Sequence, residues 1–293
     1  MKAIVKKKVG KISFLLFIMM IMVDASLVAQ QIKNTPKRTV KVAMIQMKVV
    51  GGQLHENLTR AESLVKEAAT QGADVAVLPE CMDLGWTHPS SLVKATAIPD
   101  GEVFSRLSKL ARRFNVFICS GLTERDGDKV YNSAVLIDNQ GNLLLKHRKI
   151  NELDIGKPYY ATGDRINVVD TSLGRLGLMI CADASVEDRS IITSLARMEP
   201  NIILSPSAWA VPPGYDNVKE PYGELWRNAY QPISGNFEVY IISVSNVGWM
   251  NDGPWKGWDC IGASLAFDNK GKEMLQCPFG VDAENITYVD CTF

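Results

Sequence analysis

The sequence predicts an α/β domain built on a mixed sheet, and three observations predict it. Short, continuously apolar segments of the kind buried on both faces alternate with amphipathic helical segments. Hairpins are interspersed among them. The second half of the chain repeats the grammar of the first, although no internal sequence repeat is evident. No Pro/Gly-rich linker divides residues 40–293, so they read as one domain with ample chain for a sizeable core.

The elements follow in order. VKVAMIQM (40–47) alternates as a strand. In HENLTRAESLVKEAATQGA, Leu58, Ala61, Leu64, Val65 and Ala68 share one helical face, and Gly72 closes the helix. DVAVLPE (74–80) is a short buried strand, VFSRLSKLARRFN a helix and VFICSGLTE a strand. VYNSAVLIDNQGNLLLKHRK reads as a hairpin turning at Asn139–Gly141. RLGLMI is a strand, SVEDRSIITSLARM a helix and NIILSPS a strand. YGELWRNAYQPISGN is a helix, VYIISVSN a strand, IGASLAFDNKGKEMLQC a hairpin and ITYVDCTF a last strand.

The N-terminus is of another kind. A basic MKAIVKKKVGK precedes the apolar ISFLLFIMMIMV, and DASLVAQQ follows with small residues. This is the pattern of a secretory signal peptide, residues 1–29, with cleavage after Ala29. The apolar run falls short of the roughly 20 residues of a stable membrane span. Residues 30–39 read as a short linker. The expected location is secreted or periplasmic, with no stable membrane embedding after cleavage. Acidic and basic residues balance at 32 each, which gives no electrostatic reason to expect a nucleic-acid partner. The six cysteines (Cys81, Cys119, Cys181, Cys260, Cys277 and Cys291) contain no CxxC pair suggesting a metal site. Export makes one bridge among the last three an open option. Asn57 and Asn285 begin N-x-[ST] sequons.

Three polar residues stand directly after apolar strands or a hairpin arm. Glu80 follows VAVLP, Lys149 follows LLLKHR and Cys181 follows LGLMI. Open α/β sheets place ligand sites at strand carboxyl ends, so the three can share one crevice. Taken singly, each has an ordinary reading: a cap, a solvated charge and a buried thiol. A Cys181–His147 pair of the papain kind lacks its local signature. Trp86, Trp209, Trp249, Trp255 and Trp258 lie near these motifs, as pocket walls or as packing for a surface loop.

Around these residues the sequence resembles the nitrilase superfamily of carbon–nitrogen hydrolases. The resemblance rests on VAVLPE, KHRKINE and GLMICAD, in that order, with YNSAVLID, SPSAW, SNVG and GASLAFDNKGK as matching flanks. It runs from about residue 40 to the C-terminus. It implies a single-domain α-β-β-α sandwich that pairs into a four-layer αββα–αββα core, hence a homodimer or higher homo-oligomer. It also implies hydrolysis of a small linear amide or N-carbamoyl compound through a cysteine acyl-enzyme, with no metal or organic cofactor. Cys181 is then the nucleophile, Glu80 the general base and Lys149 the oxyanion stabiliser, with the Ala182 N–H as a second donor. Many relatives carry a second Glu near the Lys, some of them several residues further on, where NELDIGKPYY has Gly156 or Lys157 instead; Glu152 is the candidate, with Asp154 behind it. Ala182 replaces the larger residue common after the Cys, which implies an altered pocket, with Trp209 and Trp86 as its candidate walls. The alternatives are a nitrile hydrolase, an amine acyltransferase or an inactive binding member of the superfamily. A periplasmic solute-binding protein would need no Glu–Lys–Cys set.

Overall fold

The computed structural model describes residues 37–185 and 187–293. The segments expected as a signal peptide (1–29) and, up to residue 36, as a linker lie outside the described residues. The sheets and helices of the described residues belong to the unit Thr39–Phe293.

Two six-stranded sheets face each other. The first runs in the order β15 (Asn285–Thr292), β1 (Thr39–Gln46), β2 (Val75–Val77), β3 (Phe117–Asp126), β4 (Lys129–Ile137) and β5 (Leu143–Arg148). The second runs β6 (Val168–Thr171), β7 (Gly174–Leu178), β8 (Ile202–Ser207), β10 (Tyr240–Ser245), β13 (Leu265–Phe267) and β14 (Glu273–Gln276). Each sheet has three central parallel strands, one antiparallel strand on one side and an antiparallel pair on the other. The repeated order read from the sequence is therefore a repeated topology. The sheets are mixed, as expected.

The pleat explains why the central strands are apolar throughout. On β1, Val40, Val42 and Met44 point into the core between the sheets, whereas Ala43 and Ile45 point outward. The outward set packs under α1 (Leu54–Thr70) and α3 (Glu102–Phe114) through Leu58, Ala61, Val65, Val103 and Leu107. On the other side α4 (Ser190–Ala196) and α5 (Glu224–Phe237) cover the second sheet through Ile192, Leu195, Trp226, Tyr230 and Ile233. The layers are α-β-β-α. A one-turn helix, α2 (Ser91–Lys94), lies in the connection between β2 and α3.

Some expectations need correction. The helix expected over 185–198 begins only at Ser190. Ser185 Oγ accepts from the N–H groups of Glu187 and Asp188, and Asp188 Oδ1 accepts from that of Ser190. These local bonds compete with helical ones, and α4 starts late. The segment rich in tryptophan forms a third sheet, β11 (Val247–Trp249), β12 (Asp259–Ile261) and β9 (Ala210–Val211), too short for a periodic signal. All six cysteines are free and buried, so no bridge joins Cys260, Cys277 and Cys291. Asn57 is buried and its amide donates to the carbonyls of Val50 and Asp83, which leaves no acceptor for a glycan.

One close approach positions the site. The chain leaving β2 lies flat on Gly121 of β3, with Gly121 N–H donating to Pro79 O at 3.1 Å and Met82 N–H donating to Gly121 O at 3.0 Å. A Cβ at Gly121 would lie 2.5 Å from Glu80 Cα and 2.7 Å from Pro79 O, both backbone atoms that cannot swing away. Gly121→Ala is expected to destabilise the fold by about 1–3 kcal/mol through overpacking and to displace Glu80. Thermal melts compared with Ser120→Ala will show it; unchanged stability would mean that the Glu80 segment yields freely.

Candidate active site

The ends of β2, β5 and β7 deliver three side chains to one cavity of about 450 Å³. Glu80 stands three residues beyond β2, Lys149 directly after β5, and Cys181 three residues beyond β7. The sheets meet here: the N–H of Glu80 donates to Ser207 O at the end of β8. Glu80, Lys149 and Cys181, the three residues singled out in the sequence, all line the cavity, as do Ala182, Trp86 and Trp209.

Glu80 and Lys149 are each 1% exposed. Lys149 Nζ donates to Glu80 Oε1 at 2.7 Å, and Asn132 Nδ2 donates to the same oxygen at 2.6 Å. Glu80 Oε2 has no hydrogen-bond partner among the described residues. Glu152 Oε2 lies 3.8 Å from the ammonium. Burial opposes charge on Lys149, but the fields of Glu152 and Glu80 outweigh it and raise its pKa well above the ordinary value. The Lys149 ammonium also lies 5.4 Å from the centre of the Trp86 ring.

Cys181 opens a single 3₁₀ turn, Cys181–Ala184, with φ of 43°. A left-handed cysteine is sterically disfavoured and has to be held by its surroundings. The thiol faces Glu80 and the Ala208 N–H. Burial first, then the charge of Glu80, pushes the thiol pKa up to about 12, although Lys149 and the Ala208 N–H pull it down. At rest Sγ is protonated. Ala182 is the next residue of the same turn, where the first N–H groups of a helix lack partners within it.

Asp183 ties the cysteine turn to the lysine strand. Its Oδ2 accepts from Ile180 N–H at 2.9 Å and lies 2.7 Å from His147 Nε2; its Oδ1 accepts from the N–H groups of Ile150 and Asn151 at 3.0 and 2.9 Å. Burial alone would raise the Asp183 pKa, but His147 and these backbone donors hold it below the ordinary value. Asn151 Nδ2 adds a bond to Ala182 O at 2.7 Å. His147 thus serves Asp183 rather than Cys181.

Sequence reasoning missed Asn132, Asp183, Tyr222 and Trp226. Asn132 and Asp183 had a legible signal, since a polar residue inside an apolar strand or strand end needs a buried partner. Tyr222 and Trp226 had none, because an aromatic residue in an amphipathic helix reads as core. Of the tryptophans, Trp255 lines the cavity and stacks on Trp258 at 4.1 Å, whereas Trp249 is exposed under Lys48. Asp154 pairs with Lys157 at the surface. Among the described residues no group of three His, Cys, Asp or Glu is arranged to hold a metal ion.

The two-sheet sandwich thus brings a buried thiol, a carboxylate and an ammonium to one cavity. The chain belongs to the carbon–nitrogen hydrolase family, whose model matches residues 41–293, and so to the nitrilase superfamily. It is an enzyme of the class that hydrolyses carbon–nitrogen bonds other than peptide bonds. It is 36% identical over 238 residues to a nitrilase of Pyrococcus abyssi, covering 80% of this chain and 83% of that protein. It is 37% identical over 155 residues to the omega-amidase NIT2 of Mus musculus, covering 50% of this chain and 55% of that one. The match therefore spans about half the length of that omega-amidase. Among solved structures, Nit3 of Saccharomyces cerevisiae superposes with a TM-score of 0.72 at 23% identity, covering 87% of this chain and 90% of its own. A carbon–nitrogen hydrolase of Helicobacter pylori G27 gives 0.74 at 21%, covering 86% and 89%. Both share the fold.

The Glu152 carboxyl is raised to about 7, first by burial and then by the negative charge of Glu80, against the pull of Lys149. Neither of its oxygens has a hydrogen-bond partner among the described residues. The folded state therefore binds more protons than the unfolded chain between pH 4.5 and 7. Stability is greatest below about 4.5 with respect to this group and is lost as pH rises through about 7. Glu152→Gln is expected to remove that slope, a span of up to roughly 3 kcal/mol. Urea unfolding at pH 5 and pH 8 will read it; identical slopes in both proteins would contradict the assignment.

Proposed function

We propose that the protein is an exported thiol amidohydrolase that cleaves the C–N bond of a small linear amide or N-carbamoyl compound through a cysteine acyl-enzyme. The observation that carries the reading is the convergence of Glu80, Lys149 and Cys181 in one cavity, with the thiol facing the carboxylate.

In this reading Glu80 takes the Cys181 proton as Sγ attacks the carbonyl carbon. The oxyanion forms against the Lys149 ammonium and the Ala182 N–H. The C–N bond then breaks, Glu80 gives its proton to the leaving nitrogen, and ammonia or an amine departs. Water attacks the thioester with its proton passing to Glu80. The C–S bond breaks, the acid is released and the thiol regains its proton. Glu152 supports the charge on Lys149 from behind. No metal or organic cofactor enters these steps. Similarity to a protein named omega-amidase supports the amide reading. Nitrile hydrolysis is the second reading, favoured by the longer match to a protein named nitrilase. The resemblance further supports a homodimer or higher homo-oligomer.

The charges predict opposite shifts in two variants. Glu80→Gln removes a group that raises the thiol pKa, and Lys149→Met removes one that lowers it. Both are expected to lose turnover by about 10³-fold or more. At pH 9, iodoacetamide should alkylate Cys181 faster in Glu80→Gln than in the wild type, and slower in Lys149→Met. Peptide mass spectrometry locates the adduct. Parallel changes in both variants, or alkylation elsewhere, would sink the coupled site.

Export makes a separate prediction. The protein recovered from the cells that make it should begin at Gln30 by intact mass. A chain retained in the cytoplasm with residues 1–29 attached would overturn the signal-peptide reading.

A further inference from the structure

We infer that the cavity selects an uncharged amide whose acyl group carries a flat, aryl-type body, and that it discriminates against acyl chains bearing a carboxylate. The inference rests on the amidohydrolase reading and adds the substrate class.

Two aromatic stacks contribute to the cavity wall. In one, Trp209 stacks on Trp226 at 4.8 Å and 15°, with Tyr222 at 5.9 Å from Trp209. In the other, Trp86 meets Trp255 edge to face at 5.3 Å, and Trp255 stacks on Trp258. Stacked indoles are held rigidly, so they offer ring faces and edges without losing side-chain entropy on binding. Around the nucleophile the lining side chains are small: Ala182, Ala184, Ala208 and Ala210. A ring has room beside Cys181, and Leu225 extends the apolar surface to the rim, where it is exposed.

The charges point the same way. Among the described lining residues the one cation is Lys149, and its ammonium is already held by Glu80 at 2.7 Å with Glu152 at 3.8 Å. Glu187 adds a further carboxylate to the lining. Arg175 and Arg189 are engaged elsewhere, with Asp170 and with Asn228 O, and neither lines the cavity. A carboxylate on the acyl chain would enter an apolar cavity lined by Glu80 and Glu187, whose one cation among the described lining residues is already paired. The buried donors left are neutral: Trp86 Nε1 and Trp209 Nε1 have no hydrogen-bond partner among the described residues.

The test compares phenylacetamide, hexanamide and succinamate. Their kcat/KM values come from ammonia release, and their binding to Cys181→Ser protein from calorimetry. Phenylacetamide should exceed succinamate by about 100-fold or more in kcat/KM and bind more tightly than hexanamide. Trp209→Leu and Trp255→Leu, checked for folding by circular dichroism, should each erase the advantage of phenylacetamide over hexanamide. Glu187→Lys should raise the succinamate-to-phenylacetamide ratio by about 10-fold. Succinamate turned over or bound within tenfold of phenylacetamide, or hexanamide preferred to it, would overturn the inference and leave the hydrolase reading standing. Selective binding of phenylacetamide with no ammonia from any amide would uphold the inference and sink the hydrolase reading.

Discussion

The site is organised around a buried ammonium. An isolated lysine as enclosed as Lys149 would shed its proton, because burial in a low-dielectric interior disfavours the charged form. Glu80 and Glu152 keep it charged, and that requirement determines much of the nearby backbone. Glu80 and Lys149 leave strands β2 and β5, which are separated in the sheet by β3 and β4. Asn132 of β4 spans the gap. Its side-chain amide donates to Glu80, and its backbone carbonyl accepts from the backbone N–H of Lys149. Gly121 of β3 lets the Glu80 segment lie close enough to be reached.

The thiol comes from the other sheet, so its position depends on how the two sheets are joined. Asp183 supplies that join by accepting hydrogen bonds from both sides, from Ile180 on the cysteine side and from Ile150 and Asn151 on the lysine side. A carboxylate with several donors is well stabilised without solvent, which is why it tolerates complete burial beside three functional groups. The same geometry holds Cys181 in its left-handed conformation. The backbone on each side of the turn is fixed, so the strain at φ of 43° cannot relax.

How much of this the sequence discloses depends on the range over which each residue is determined. The strands and helices around the site are local: Glu102–Phe114 follows from periodicity, Val75–Val77 from its continuously apolar run, and the hairpin turn at Gly141 from turn chemistry. Glu80, Lys149 and Cys181 are legible because each interrupts an apolar segment at a strand end. Asn132 and Asp183 sit inside the very motifs that carry the family resemblance, yet their partners lie 52 and 36 residues away, and no local pattern names a partner at that distance. The short third sheet and the late start of α4 were hidden for a different reason. Both are set by side-chain hydrogen bonds or by pairing of two or three residues, below the length at which periodicity can be read.

A thiol held near pKa 12 is compatible with a nucleophile, provided that its proton never has to reach water. In the proposed reaction the proton moves from Sγ to Glu80, so one buried negative charge replaces another within the same cluster. The net charge of the site does not change, and Lys149 is already charged and already desolvated when the step begins. The burial that disfavours a free thiolate therefore opposes only a short displacement of charge. When Sγ attacks, that charge moves again, onto the oxygen of the substrate, still close to the same ammonium. A preformed thiolate–ammonium pair would instead be stabilised before attack and would lose that stabilisation on reacting. In the proposed reaction the neutral thiol leaves Lys149 paired with Glu80 until the proton moves, and the ammonium then meets the charge that develops on the substrate oxygen.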